Sequence, residues 1–124
     1  MSAAFPCPCC GHLVMESPPG SDDICLICFW EDDATQLRFP SLADVTNSVS
    51  LREAQENYAK FGAIEARFSE DVRKPTSEDT LDPGFRPIED SDSFEPEVKE
   101  EGGPEDATAL YYWRPTFWRR PSGS

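Results

Sequence analysis

Cys7-Pro8-Cys9-Cys10-Gly11 and Cys25-Leu26-Ile27-Cys28 hold the residues of this 124-residue chain best suited to chemistry. Cys7 with Cys10 and Cys25 with Cys28 form two CxxC pairs, with fourteen residues between them. Two intervening residues let a tight turn aim both sulfurs at one point. Two such turns, brought together by a hairpin, supply the tetrahedral thiolate set that zinc prefers, and the spacing is that of a zinc ribbon. Gly11 strengthens the reading, because backbone N–H groups in such a turn point at the sulfurs and the turn often needs the positive φ that glycine permits. Cys7, Cys10, Cys25 and Cys28 are therefore the expected ligands, and zinc the expected cofactor.

Other chemistry is thinly provided for. A closed four-cysteine site leaves no coordination position for water or substrate. His12 is the only histidine and would point off the hairpin. No Ser-His or Cys-His pair stands out, and no glycine-rich phosphate loop is present. The sequence thus argues against an enzyme. Cys9, the fifth cysteine, points away from the metal if its neighbours bind it. It fits a buried small side chain, an alternative ligand to Cys7, or a thiol made reactive by a neighbouring zinc.

The elements that must position these residues are short. His12–Met15 reads as a strand after the lead of Phe5 and Pro6, and residues 17–21 form a Ser-Pro-Pro-Gly-Ser turn. Ile24 and Cys25 then begin the return strand, so the hairpin carries the metal at its base. Phe29 and Trp30 are expected core beside the metal, since a small domain needs large apolar groups there. The acids after them, Glu31, Asp32 and Asp33, suit a solvated loop, a helix N-terminal charge or a partner-binding face, and less well a second hard-metal site, because three consecutive acids point in different directions.

Residues 34–50 are mixed, with Leu37, Phe39, Leu42 and Val45 able to reach a core. Ser50 opens the one clear helix, expected to run to about Phe68. Ser50 and Glu53 fit a capping box. Leu51, Ala54, Tyr58, Phe61, Ile64 and Phe68 form an apolar stripe, and Gly62 is expected to bend or pause the helix. Asp82–Ile88 reads as an ordered turn that folds back through Phe85 and Ile88. The fold class is α+β: a zinc-ribbon β-hairpin packed on one main helix over residues 1–88.

Charge divides the rest of the chain. The net charge is −13. Residues 1–33 carry six acids and no Lys or Arg, and residues 34–75 are balanced. Residues 76–108 hold twelve acids against two bases. Residues 89–108 are thus expected to be an acidic, flexible linker that cannot bury enough apolar surface to offset its ordering entropy. Residues 109–124 change character, with five aromatics and three arginines. Trp113, Arg114 and Trp118 mark this segment as a partner-docking motif, a strap that folds back on its own acidic domain, or unselected terminal sequence.

With these motifs in view, the chain resembles the bacterial cysteine-rich CPCC-domain family. The resemblance rests on Cys7–Gly11, on Cys25–Asp33 with Gln36, on Ser50–Gln55 with Asn57-Tyr58 and Phe61-Gly62-Ala63, and on Asp82–Pro87. It covers about residues 5–88 and implies a small bacterial zinc-ribbon-like protein without lending an activity. Proteins of similar style occur near toxin–immunity loci. Gln36, Asn57 and the Glu31–Asp33 run are polar parts of this signature, and such residues serve either function or loop bonding.

The leading expectation is a non-catalytic, zinc-stabilised module that binds a basic protein, in its sharpest form an immunity or antitoxin-like inhibitor. An acidic surface repels phosphate backbones, so a nucleic-acid-binding ribbon that uses the Arg-rich end ranks lower. A thiol redox protein acting through Cys9 is the other rival. No stretch reaches the roughly 18 apolar residues of a membrane span, and no leader opens the sequence. A cytoplasmic, reducing location is therefore expected, with cysteines serving as metal ligands and not disulfides. Oligomeric state is not legible.

Overall fold

Local backbone bonding builds the first element. In the computed structural model, which describes residues 5–95, 97–99 and 101–119, the Cys7 amide donates to the His12 carbonyl at 2.9 Å and the Gly11 amide to the Cys7 carbonyl at 2.7 Å. The flanking chain is drawn into a short antiparallel hairpin. Its strands are β1, Phe5–Pro6, and β2, Leu13–Met15, with Phe5 opposite Met15 and Pro6 opposite Leu13. A bulge separates the two pairs.

The return strand expected at Ile24–Cys25 does not pair with β2. Residues 24–31 instead repeat the first loop. The Cys25 amide donates to the Trp30 carbonyl at 2.9 Å, the Phe29 amide to the Cys25 carbonyl at 2.8 Å, and Ile24 bridges Glu31. The physical reason lies at the other edge of β2. The Leu13 amide donates to Thr80 at 2.8 Å, the Asp82 amide to Gly11 at 2.8 Å, and His12 bridges Leu81. Residues 80–82 thus occupy the place that the return strand would have filled.

The equivalent positions of the two loops both need a left-handed backbone. Gly11 has φ 81° and Phe29 has φ 76°. A Cβ on Gly11 would collide with the Phe85 ring, so glycine is required there for space as well as conformation. Phe29 bears the cost of about 1–2 kcal/mol that a side chain meets in this region. Its ring contacts that of Phe68, with centroids 4.4 Å apart, which offsets part of the strain.

Two helices follow. α1, Ala34–Arg38, is capped by Asp33, whose side chain accepts from the Thr35 amide. α2, Leu51–Phe61, is the main helix. Ser50 caps it, accepting from the Glu53 amide at 3.1 Å. The expected extension to Phe68 is cut at Gly62, whose φ of 78° and amide bond to Tyr58 make it a terminating cap and not a bend. Ile64 still reaches the core from beyond the cap, and Ala66–Phe68 forms a separate 3-10 turn. Phe61, at the last turn, is exposed.

The boundary expected at residue 88 does not divide the core. After a second 3-10 turn, Ala107–Leu110, the residues Leu110, Tyr111, Tyr112 and Trp113 join one buried cluster with the cysteines, Met15, Trp30, Leu51 and Ala54. The C-terminal segment is therefore a strap across the N-terminal loops. Buried aromatic surface, at about 25 cal/mol per Å², is what holds it there. Between 89 and 106 two acids are held in ion pairs: Asp92 with Arg86, and Glu95 with both Arg38 and Lys99. Residues 1–4 and 120–124, which belong to the expected domain and strap, lie outside the described residues, as do 96 and 100 of the expected linker. Among the described residues no helix is long and apolar enough to cross a membrane.

Candidate metal centre

The twin loops bring the four expected ligands to one point. The sulfurs of Cys7, Cys10, Cys25 and Cys28 all lie within 4.8 Å of one another, and all four residues are buried. Cys7 Sγ sits 3.5 Å from Cys28 Sγ, and Cys10 Sγ 3.7 Å from Cys25 Sγ. A tetrahedral ion with metal–sulfur bonds of about 2.3 Å places its ligands roughly 3.8 Å apart. The two closest separations fall just below that value and the whole set stays within 4.8 Å, so it fits a tetrahedral, sulfur-preferring ion and is compatible with zinc. The Ile27 amide points at Cys25 Sγ at 3.4 Å, the loop bonding that steadies a thiolate.

Electrostatics lead to the same place. Burial pushes the Cys7 and Cys28 thiols well above the ordinary range, while S–H groups from Cys25, Cys28 and Cys7 hold Cys10 far below it. Four buried sulfurs cannot all ionise without a cation among them. A bound divalent metal supplies that charge. Among the described residues this is the one group of three or more His, Cys, Asp or Glu side chains arranged to hold a metal.

Cys9 is buried in the core, and burial raises its thiol. His12 lies against Cys10, which raises its imidazole, but is not one of the four. Trp30 is fully buried beside the second loop. The acidic run splits into three environments. Glu31 is half-buried, and its backbone is clamped by Asn47, which accepts from the Glu31 amide and donates to its carbonyl. Asp32 is buried, accepting from the Ser21 hydroxyl at 2.7 Å, and burial raises its carboxyl despite that bond. Asp33 is spent on capping α1. These three residues do not form one outward face.

The strap residues also turn inward. Trp113 is buried, with its indole N–H donating to Asp82 at 2.7 Å. Arg114 makes two bonds to the same carboxylate, at 3.0 and 2.8 Å. Trp118 is half-buried under the Arg38 guanidinium, 5.6 Å from the ring centre.

Three polar residues organise the loops around the centre. Gln36 is fully buried, and its amide nitrogen reaches the carbonyls of Leu42, Asn47 and Val49. Its oxygen accepts from the backbone and side-chain amides of Asn47. Asn57 donates to the Ile64 carbonyl beyond the α2 cap. These placements give Gln36 and Asn57 a loop-bonding role. Sequence reasoning passed over Gln55, which binds Pro8 between the first ligands, the Tyr112 hydroxyl and the Ile88 amide. The signal was available, since Gln55 occupies the same helical face as Leu51, Ala54 and Tyr58. Asp82 carried no such signal.

Gln36→Leu is expected to lower stability by roughly 1–3 kcal/mol, the cost of buried polar groups left unpaired. Denaturant titration of the metal-loaded protein reads this as a lower midpoint at unchanged slope. An unchanged midpoint would remove the network's role.

The sequence model of the family described as Cysteine-rich CPCC matches residues 5–79. No curated protein matches the chain. The matched span holds both loops and both helices, and ends just before the strap-binding Asp82.

Proposed function

Because the chain belongs to the cysteine-rich CPCC family, a small domain built on a four-cysteine centre, we propose that it is a zinc-stabilised, non-catalytic module that binds a basic protein. The supporting observation is the closed, buried sulfur set. All four sulfurs face one another inside the core, which suits a metal that holds structure and leaves substrate no place to bind. The net charge of −13 supports a basic partner, because opposite charge speeds encounter and rejects acidic competitors. An inhibitor of the immunity or antitoxin kind is the form of this reading with the most specific consequence, a stoichiometric complex with a basic protein in a reducing cytoplasm.

The rivals draw less support. A nucleic-acid ribbon would use the strap, yet Arg114 is engaged with Asp82 and Trp113 is buried. A redox role would use Cys9, which is buried with its thiol raised, away from the exposed thiolate such chemistry needs. Native mass spectrometry of the protein purified from its own cells tests the reading. One zinc per chain with a stoichiometric basic protein is the expected result. Zinc-loaded protein with no partner would overturn the binding role, and zinc-free chains with oxidised cysteines would overturn the zinc centre.

A further inference from the structure

Four large apolar side chains stay exposed around three hollows that share lining residues. Ile24, Leu26, Val45 and Val98 keep 47, 66, 52 and 56% of their surface in water. Single exposed apolar residues are ordinary, whereas contiguous ones mark contact surfaces. These four are contiguous. Ile24 and Leu26 share a hollow with Val14 beside the second metal loop. Ile24 also borders a hollow of about 380 Å³ walled by Phe29, Ile64 and Phe68, with Val45 at its margin. Val45 in turn borders a groove of about 930 Å³ that runs past Phe39 and Leu42 to Val98.

Charge selects the occupant. Glu16, Asp23, Glu31, Asp44 and Glu105 line the same three hollows. None has an ion-pair partner among the described residues. The bases there are already committed: Arg38 and Lys99 to Glu95, Arg67 to Glu65, and Arg73 to Asp79. The three hollows thus set apolar side chains among carboxylates that have no ion-pair partner among the described residues. The backbone beneath them is pinned. Asn47 anchors the Val45 loop through Gln36, and the Leu26 carbonyl accepts from the Arg73 amide at 3.0 Å. A surface ordered before contact loses little entropy on binding.

We propose that this track of hollows docks an amphipathic segment of the partner protein, apolar on one face and flanked by Lys or Arg. The inference rests on the binding role proposed above and assigns the face that performs it. An apolar stripe enters the hollows, and its basic flanks meet the five carboxylates. Nucleic acid is disfavoured by those carboxylates and by the commitment of Arg38, Arg67, Arg73 and Lys99, the bases of the track among the described residues, to ion pairs.

The probe is a short synthetic helical peptide of Leu and Lys in amphipathic order, titrated by fluorescence anisotropy into the zinc-loaded full chain. Saturable binding is expected. Ile24→Ser with Leu26→Ser should weaken it by at least about tenfold, and Asp23→Asn with Asp44→Asn should weaken it and flatten its salt dependence. Leu81→Ser and Phe61→Ser, exposed apolar sites off the track, should leave it unchanged. No binding, equal binding of a Leu/Glu peptide, or an equal loss in the Leu81 variant would overturn the proposal. Native mass spectrometry separates this failure from that of the module itself. A cellular complex that survives Ile24→Ser with Leu26→Ser overturns the face and keeps the module, whereas wild-type protein with no partner overturns both.

Discussion

Stripping the metal from the purified protein with a strong chelator at neutral pH is expected to unfold the whole chain, not merely its first third. The four sulfurs lie in the same buried cluster as Trp30, Leu51, Ala54 and the aromatic strap. Structural zinc sites contribute apparent binding energies of about 10–16 kcal/mol, while whole domains are stable by only about 5–15 kcal/mol. The first term is therefore comparable to or larger than the whole margin of the second. Without a cation, burial pushes Cys7 and Cys28 toward neutral thiols, and the loops lose the charge that draws them together. Near-ultraviolet circular dichroism, which reports the packing of Trp30 and Trp113, should collapse on chelation and return on adding zinc. Cys25→Ser should reproduce the collapse. Cys9→Ser should keep stoichiometric metal, with a melting temperature lowered only by the cost of its buried hydroxyl, about 1–3 kcal/mol. An unchanged melting curve after verified metal removal would end the structural role.

The second large effect is expected at Asp82. Its carboxylate, buried at the strap's base, accepts from the Trp113 indole and from two nitrogens of Arg114. Removing one partner of a buried ion pair costs about 3–5 kcal/mol, and Arg114 keeps some contact with water, so Asp82→Ala should fall near 3 kcal/mol. Asp82→Asn keeps an acceptor for the indole and should cost less. Limited proteolysis within residues 107–119 of metal-loaded protein would show the strap released first. The same clasp sets an acid limit. Burial alone would raise the Asp82 carboxyl, but Arg114 and Trp113 outweigh it and leave the group below its ordinary value. A carboxyl depressed in the folded state stabilises above its unfolded value of about 3.9, and that contribution vanishes as pH falls through the folded value. Strap release in wild type should therefore appear only below about pH 4, and Asp82→Asn should remove that acid step.

Much of the centre was legible because its information is local. A CxxC turn bonds within six residues, so Cys7, Cys10, Cys25, Cys28 and the positive φ at Gly11 could all be read from spacing. The Ser50 cap was legible for the same reason. Gly62 announced a break, but whether a helix bends or ends depends on what its next turn would meet. Strand pairing was misread because β1 is two residues long and includes Pro6, too short to show alternation. Its partner's other edge is filled from residues 80–82, a match that no local pattern encodes. The fates of Glu31 and Asp32 depend on Asn47 and Ser21, which come near only in the fold, whereas Asp33 caps α1 through a local bond to Thr35. The strap is the plainest case. Its aromatics signalled burial, but Asp82 and Gln55, which receive it, look like ordinary turn and helix residues.

The position of that strap shapes how the protein is made. All four ligands are synthesised by residue 28, whereas the side chains that cover them end at Trp113. At ribosomal speeds of about 5–20 residues per second, the nascent chain spends roughly 4–17 s with its ligands synthesised and Met15 uncovered. Metal capture can thus precede closure. A chain that stalls or is nicked before residue 107 would retain every ligand while displaying apolar surface, the feature by which chaperones and proteases sort incomplete chains from finished ones.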